Sequence, residues 1–589
     1  MIYRPFAFVL IIVTTLIFGC TSLEVQGPQD GPAYSTAHLD FKKWKRTEDC
    51  CTASGKEIAI SSGGQHSSRI GLEIAKRGGN VIDVAVAVAF ALAVERPHSA
   101  GLGGGGFMTV YLSEPNKTVS FVDFRETAPH RATRDMFLDD KGNVLPGFSQ
   151  KGAFSVATPG FVAGMYEIHK KWGKLPWRTV LNPSIILATG GFRVYPSLSE
   201  KIQARKAEFA RIPYAQSIFL QGSRELRPGQ AIYQADLGKT IRAISRGGRD
   251  VFYKGWIADR IIRSMAPYGG ILEAKDFQHY EVRFREPVQF DWHGYQIYTA
   301  PPPSAGGVMI AQMMKVLEPF KLKEVSQKSG GYVHLLAETM KRAYADRSRF
   351  VGDPDFVKFP YPSLYSDSYV SDLRSDLNLS KSTPSSEIAP GNGDLDLPGT
   401  THLSVIDSKG NSVSATLTIN GSFGSGIVVP ETGIVLNNEM DDFSIKPGEK
   451  NLYGLTGGEA NAIAAGKRPV SSMSPTIVVG SKGPVLALGG AGGSRIISNT
   501  FQVMLNFLAV YDQDLKKAVF APRMHHQWLP DQLDLEPGFP ESAVTYLKSL
   551  DNQMTEPKWR ARISAVGIGA EGSLTAVFDP RDNGGAYAK

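Results

Sequence analysis

Residues 400–420 constrain this chain more than any other stretch. Apolar side chains take the odd positions (Leu403, Val405, Val413, Ala415, Leu417, Ile419), and Ser412, Ser414, Thr416, Thr418 and Asn420 take the even ones. A period of two predicts a pair of half-buried strands. Asp407-Ser408-Lys409-Gly410 separates them and suits a hairpin turn in which Gly410 adopts the left-handed conformation and starts a bulge. With a loop at 408–410, Asp407 pairs with Asn411 and Thr400 falls opposite Thr418.

Two readings fit a polar face with paired hydroxyls at the first residue of a strand. One is a solvated sheet surface. The other makes Thr400 a nucleophile, released as a new N-terminus by cleavage of Gly399–Thr400. A free α-amino group has a pKa near ~8, so it can take the hydroxyl proton without a distant histidine. Gly399 has no side chain to hinder such a cut.

Gly399-Thr400-Thr401-His402, followed by Asn437-Asn438-Glu439-Met440-Asp441-Asp442-Phe443-Ser444, resembles the gamma-glutamyltransferase family of self-cleaving N-terminal-nucleophile hydrolases. The resemblance spans roughly residues 56–585. It implies an α/β (α+β) fold, a four-layer αββα sandwich built by two chains cut from one precursor. Residues 56–399 would form the large subunit and 400–589 the small one, joined as a heterodimer. It also implies a glutathione hydrolase and γ-glutamyl transferase acting on glutathione and other γ-glutamyl compounds, with water, amino acids or peptides as acceptors. No cofactor or metal is expected. A cephalosporin or glutaryl amidase on the same scaffold and an uncleaved, inactive envelope binding protein are the alternatives.

Site residues follow from the resemblance one by one. Thr400 is the nucleophile, and Thr418 orients it. Arg125 grips the α-carboxylate of the glutamyl group, with Ser471 and Ser472 beside it; a planar guanidinium can hold a carboxylate at two points. Asp442 carries charge suited to the α-ammonium, and Asn420 and Glu439 stand next to it. Some relatives have glutamine where Glu439 stands. The Gly-rich run from Lys446 to Asn461, with Tyr453 as its aromatic, resembles a lid loop that would keep water out. Read for themselves, a lone arginine, a Ser-Ser pair and a polar Gly-rich loop are ordinary surface features.

One further element is legible from local pattern. Val485–Leu488 reads as a strand and Arg495–Tyr511 as a helix, with Gly489-Gly490-Ala491-Gly492-Gly493-Ser494 between. Such a junction leaves free N–H groups at a helix start, a natural anion site, although an ordinary tight turn has the same composition. The resemblance assigns Gly492 and Gly493 to the oxyanion. Gly101–Gly106 formally matches a dinucleotide fingerprint, but a helix precedes it and a strand follows, the reverse of what that motif requires. Its glycines instead let backbones approach closely. His402 lies on the same strand face as Thr400, yet a terminal amine makes a histidine base unnecessary; His525 and His526 read as structural.

The remainder sets the context. A chain of 589 residues with 42% apolar and 21% charged residues is globular and too long for one small core. The net charge of +7 is scattered, which argues against a nucleic-acid partner. Arg4 and the apolar run Phe6 to Phe18 predict an exported chain with a signal peptide over 1–19. Ile17-Phe18-Gly19-Cys20 resembles the cleavage box of bacterial lipoproteins, which implies lipidation at Cys20, anchoring to the membrane and a periplasmic location in a bacterial envelope, the alternative being an ordinary secretory signal cut nearby. Residues 20–55 read as a tether. Cys50 and Cys51 are adjacent and do not make a disulfide framework. A Ser/Pro/Gly-rich connector runs from Lys381 to Pro398.

Overall fold

The computed structural model describes residues 51–113, 116–388, 398–557, 560–569 and 571–589. The predicted leader, Cys20, most of the tether, Cys50 and the connector at 389–397 lie outside them. The tether is shorter than expected: Thr52–Gly55 is a strand paired with Leu574 to Val577.

Two seven-stranded sheets form the centre. In the first, the spatial order is Gly585–Ala588, Ile58–Ser62, Pro398–Asp407, Ser412–Gly421, Gly105–Leu112, Thr118–Phe124 and Arg283–Arg285. In the second it is Thr52–Gly55, Leu574–Phe578, Arg562–Ile568, Gly483–Ala491, Thr476–Gly480, Tyr295–Thr299 and Val288–Trp292. Neighbouring strands are antiparallel throughout. Each sheet draws strands from both sides of the 399–400 bond, so neither half of the chain holds a complete sheet.

Helices cover the outer face of each sheet. The odd-numbered residues of the hairpin, Leu403 to Ile419, pack with Val81–Glu95 and its neighbours in one core. Val81–Glu95 is buried along its whole length. Asn80 starts it, accepting from the amides of Ile82 and Asp83 while Asp83 accepts from the amide of Asn80. A second core joins Val478, Leu486 and Ile563 of the other sheet to helices Gly306–Leu317, Gly330–Phe350 and Arg495–Leu505. A smaller apolar cluster, including Ala59, Ile406, Ile477, Ala487 and Val566, lies where the sheets meet. The four layers αββα are therefore present.

The hairpin register is the predicted one. Thr400 pairs with Thr418, the Asp407 amide donates to Asn411 O, and Gly410 has φ +79°. The half-buried expectation is corrected. Every residue of Ser412–Gly421 is buried, because the even-numbered face looks at the second sheet and not at water. Its hydroxyls find partners across the gap: Ser414 Oγ donates to Leu488 O at 2.8 Å and Ser404 Oγ to Ser564 O at 3.1 Å. Small hydroxyls there let two sheets pack closely with their polar groups satisfied. The predicted strand at 485–488 also extends to Gly483–Ala491, and the helix at 495–511 changes after Leu505 to a wider π turn over Asn506–Val510.

Candidate active site

The scissile candidate sits where the hairpin ladder is irregular. Pro398 pairs with Gly421 while Thr400 pairs with Thr418, so the partner strand carries an extra residue, and Asn420 there has φ +66°. A side chain at 399 would stand 2.4 Å from Gly421 O, which leaves room only for glycine. Thr400 Oγ1 lies 3.3 Å from Thr418 Oγ1. Thr418 Oγ1 donates to Gly399 O at 3.2 Å and accepts from the Asn420 amide at 2.8 Å. The glycine run of the neighbouring strand supports this: a Cβ on Gly104 would be 2.0 Å from Thr418 O. Close backbone approach is thus the role of that run, as its context predicted.

Thr400 and Thr418 open onto a cleft of about 300 Å³. Arg125, Asn420, Glu439, Asp442, Tyr453, Ser471, Ser472 and Gly493 line it, so the cleft gathers nearly every candidate named from the sequence. Asn437 and Asn438 hold the loop that carries the acidic pair: Asn437 Nδ2 donates to Gly103 O and Ala157 O, and Asn438 Oδ1 accepts from the Gly421 amide. Ser471 is fixed by the Pro301–Gly307 loop, donating its amide to Pro303 O and accepting at its carbonyl from the Ala305 amide.

Arg125, Glu439 and Asp442 in the cleft are paired among themselves. Arg125 is buried and donates to Glu439, to Asp442 Oδ2 at 2.5 Å and to Pro469 O and Val470 O. Glu126 lies beside it at 3.7 Å. Burial pushes Glu126 up to about 7 and raises Glu439 and Asp442 above the usual carboxylate range, while Arg125 opposes the shift in each case. Arg125 itself is held above its ordinary value: burial lowers it, but Glu439 and Asp442 outweigh that.

The loop at 446–461 is not a surface loop at its centre. Tyr453 is buried, donates its hydroxyl to Asn420 O at 2.8 Å, and packs over Gly493, where an added Cβ would meet its ring at 2.5 Å. Leu452 N donates to Asp441 Oδ2 and Asn451 Nδ2 to Asp442 Oδ1. Gly492 and Gly493 have φ +147° and +58°, and neither amide donates to a protein acceptor among the described residues. Gly493 lines the cleft; Gly492 backs onto Ala561.

The histidines are elsewhere engaged. His402 is hydrogen-bonded to Thr416 and Ser404, and burial lowers its pKa to about 3. It fills the space left by Gly489. His525 bonds Ser498 and Gln527, and His526 pairs with Asp531. Sequence reading missed Arg347, Leu455, Met473 and Ile496, which also line the cleft. A single arginine on a long helix gives no sign in the sequence of which face meets a cleft.

The family model described as Gamma-glutamyltranspeptidase matches residues 67–589. A glutathione hydrolase proenzyme from Escherichia coli (strain K12) is 41% identical over 528 residues, covering 89% of this chain and 90% of that protein. Among solved structures, the cephalosporin acylase from Bacillus halodurans superposes with a TM-score of 0.80 at 25% identity, over 96% of this chain and 99% of its own. A Helicobacter pylori gamma-glutamyltranspeptidase chain superposes with a TM-score of 0.53 at 37% identity, over 56% of this chain and 94% of its own. Matched along most of its length by the family model and by a full-length relative, the chain belongs to the gamma-glutamyltranspeptidase family.

Proposed function

We propose that the chain is a proenzyme that cuts itself at Gly399–Thr400 and then works as a glutathione hydrolase and γ-glutamyl transferase. The observation that carries this is the placement of the Thr400 hydroxyl, at a glycine-only backbone site, in one cleft with a guanidinium and two carboxylates. Those charges suit a zwitterion. The substrate's α-carboxylate replaces an acidic partner on Arg125, near Ser471 and Ser472, and its α-ammonium takes Asp442 and Glu439, with Asn420 adjacent.

In self-cleavage, Thr400 Oγ attacks the Gly399 carbonyl carbon and the C–N bond breaks, leaving an ester and a free Thr400 amine. Water opens the ester to a Gly399 carboxylate. In turnover, the amine takes the hydroxyl proton as Oγ attacks the γ-carbonyl, then passes a proton to the departing amine. The amides of Gly492 and Gly493 are the donors for the oxyanion. Water or an acceptor amine releases the γ-glutamyl group. The two pieces, 56–399 and 400–589, stay together as a heterodimer because each contributes strands to both sheets.

A denaturing gel with hydrolysis of γ-glutamyl and glutaryl anilides tests the reading. Two fragments and preference for the γ-glutamyl anilide are expected. Preference for the glutaryl anilide would favour the amidase reading, to which the Bacillus halodurans fold similarity lends weight; one uncut, inactive chain would favour a binding protein. The leader at 1–19 and Cys20 support export to the periplasm with a lipid anchor. Cys20→Ala should move the enzyme from the membrane to the soluble fraction, and no redistribution would refute the anchor.

A further inference from the structure

Arg125 already donates to four acceptors, and the cleft holds a second guanidinium. Arg347, on helix Gly330–Phe350, lines the cleft and is only 7% exposed. It donates no side-chain hydrogen bond and joins no ion pair with any described residue, and its Nε is buried without a partner. A guanidinium withdrawn from water in this way is costly unless something completes it. Its planar fork of donors suits a carboxylate held at two points. Burial pulls Arg347 below its ordinary pKa, against the opposing pull of Tyr344 and Asp442.

Its position indicates which carboxylate. The next residue, Ser348, is tied to the returning arm of the 446–461 loop: the Gly458 amide donates to Ser348 O at 2.8 Å, and the hydroxyls of Ser348 and Thr456 are 3.1 Å apart. Leu455 of that arm lines the cleft as well. Arg347 therefore stands under the loop, on a different element from Arg125, Ser471 and Ser472. Glutathione carries two carboxylates, one on the glutamyl α-carbon and one at the end of the dipeptide that leaves.

We propose that Arg347 is a second carboxylate-binding residue of the cleft and holds the carboxylate of the departing amine, making it a specificity determinant for peptide-like γ-glutamyl donors. This rests on the γ-glutamyl reading above. Three donors separate the sources: glutathione, glutathione amidated at its glycine carboxylate, and a γ-glutamyl anilide. The unaltered enzyme should show kcat/KM about tenfold higher for glutathione than for the amidated form. In Arg347→Gln that preference should vanish, and Arg347→Lys should recover part of it. The unaltered enzyme alone decides the matter if the variants fail to self-cleave: turnover of the anilide without preference for the free carboxylate overturns the assignment. An equal loss on all three donors in Arg347→Gln also overturns it, by placing Arg347 on the glutamyl α-carboxylate or in a purely structural role. Absence of turnover on every γ-glutamyl donor sinks the functional reading and this assignment together.

Discussion

Thr418 donates its hydroxyl proton to the carbonyl oxygen of Gly399 at 3.2 Å. Its oxygen is then left to accept from the Asn420 amide at 2.8 Å and from Thr400, whose hydroxyl lies at 3.3 Å. One side chain thus polarises the carbonyl that self-cleavage attacks and orients the hydroxyl that attacks it. Thr418→Val keeps the shape and removes both effects. Self-cleavage should slow by roughly 10²–10³, the usual effect of deleting one preset donor, as followed by fragment appearance on a gel. Thr400→Ala should leave a single band and no activity. Normal cleavage kinetics in Thr418→Val would remove this role.

Asp442 is held by Arg125 at 2.5 Å, so on the proposed reading it takes the substrate ammonium once the substrate carboxylate has replaced it there. Asp442→Ala should raise KM for γ-glutamyl donors by about 30-fold or more, as expected when one member of a buried charge pair is lost. Self-cleavage should be intact, because among the described residues the hydrogen bonds and ion pairs of Asp442 go to Arg125, Asn451 and Asn461 and not to the 399–400 peptide. An unchanged KM would count against the ammonium contact.

Glu126 gives the cleft a pH dependence whose sign can be worked out. Burial holds it up to about 7, so it is neutral in weak acid and ionised above neutrality. Once ionised it adds a third carboxylate around Arg125, beside Glu439 and Asp442, and competes with the substrate's carboxylate. The inhibition constant of free glutamate should therefore rise as pH passes upward through about 7, and Glu126→Gln should flatten the curve. Folding stability should fall from its ordinary 4.5 up to about 7, since only the folded protein retains the proton across that window. Tighter glutamate binding at pH 8 than at pH 6 would refute the competition.

Gly104 bears on the nucleophile without touching substrate. A methyl group there would meet Thr418 O at 2.0 Å and the Ile419 side chain at 2.7 Å. Gly104→Ala should push strand Gly105–Leu112 away from Ser412–Gly421 and displace Thr418. We expect a loss of several kcal/mol of stability, the range for overpacking a tight site, and slowed self-cleavage. Wild-type melting temperature and cleavage rate would show that the strands can part without consequence.

Local chemistry was readable where one short segment decides it. The hairpin register, the Gly410 turn and the strand–glycine–helix junction around 485–511 depend on neighbours in sequence, so alternation and glycine placement reveal them. Two kinds of feature escaped. The even-numbered hairpin face looked solvated because Ser and Thr are common at surfaces; that it meets Ser564 and Leu488 depends on strands more than 70 residues away. Arg347 drew no functional reading, since its exposure to the cleft depends on how Gly330–Phe350 packs against the 446–461 loop.

What the amino-acid sequence determined alone is the reactive unit: a glycine-threonine junction opening a strand, a hairpin that sets Thr418 beside it, and the acidic, arginine and glycine motifs that accompany it. Only the tertiary structure decided that Arg125 pairs with Glu439 and Asp442 in the cleft, that Tyr453 lies buried over Gly493, and that Arg347 has no hydrogen-bond or ion-pair partner for its side chain among the described residues. The physical reason is that register follows from side chains a few residues apart, whereas the pairing of a buried charge depends on which distant charges the fold strips of water alongside it.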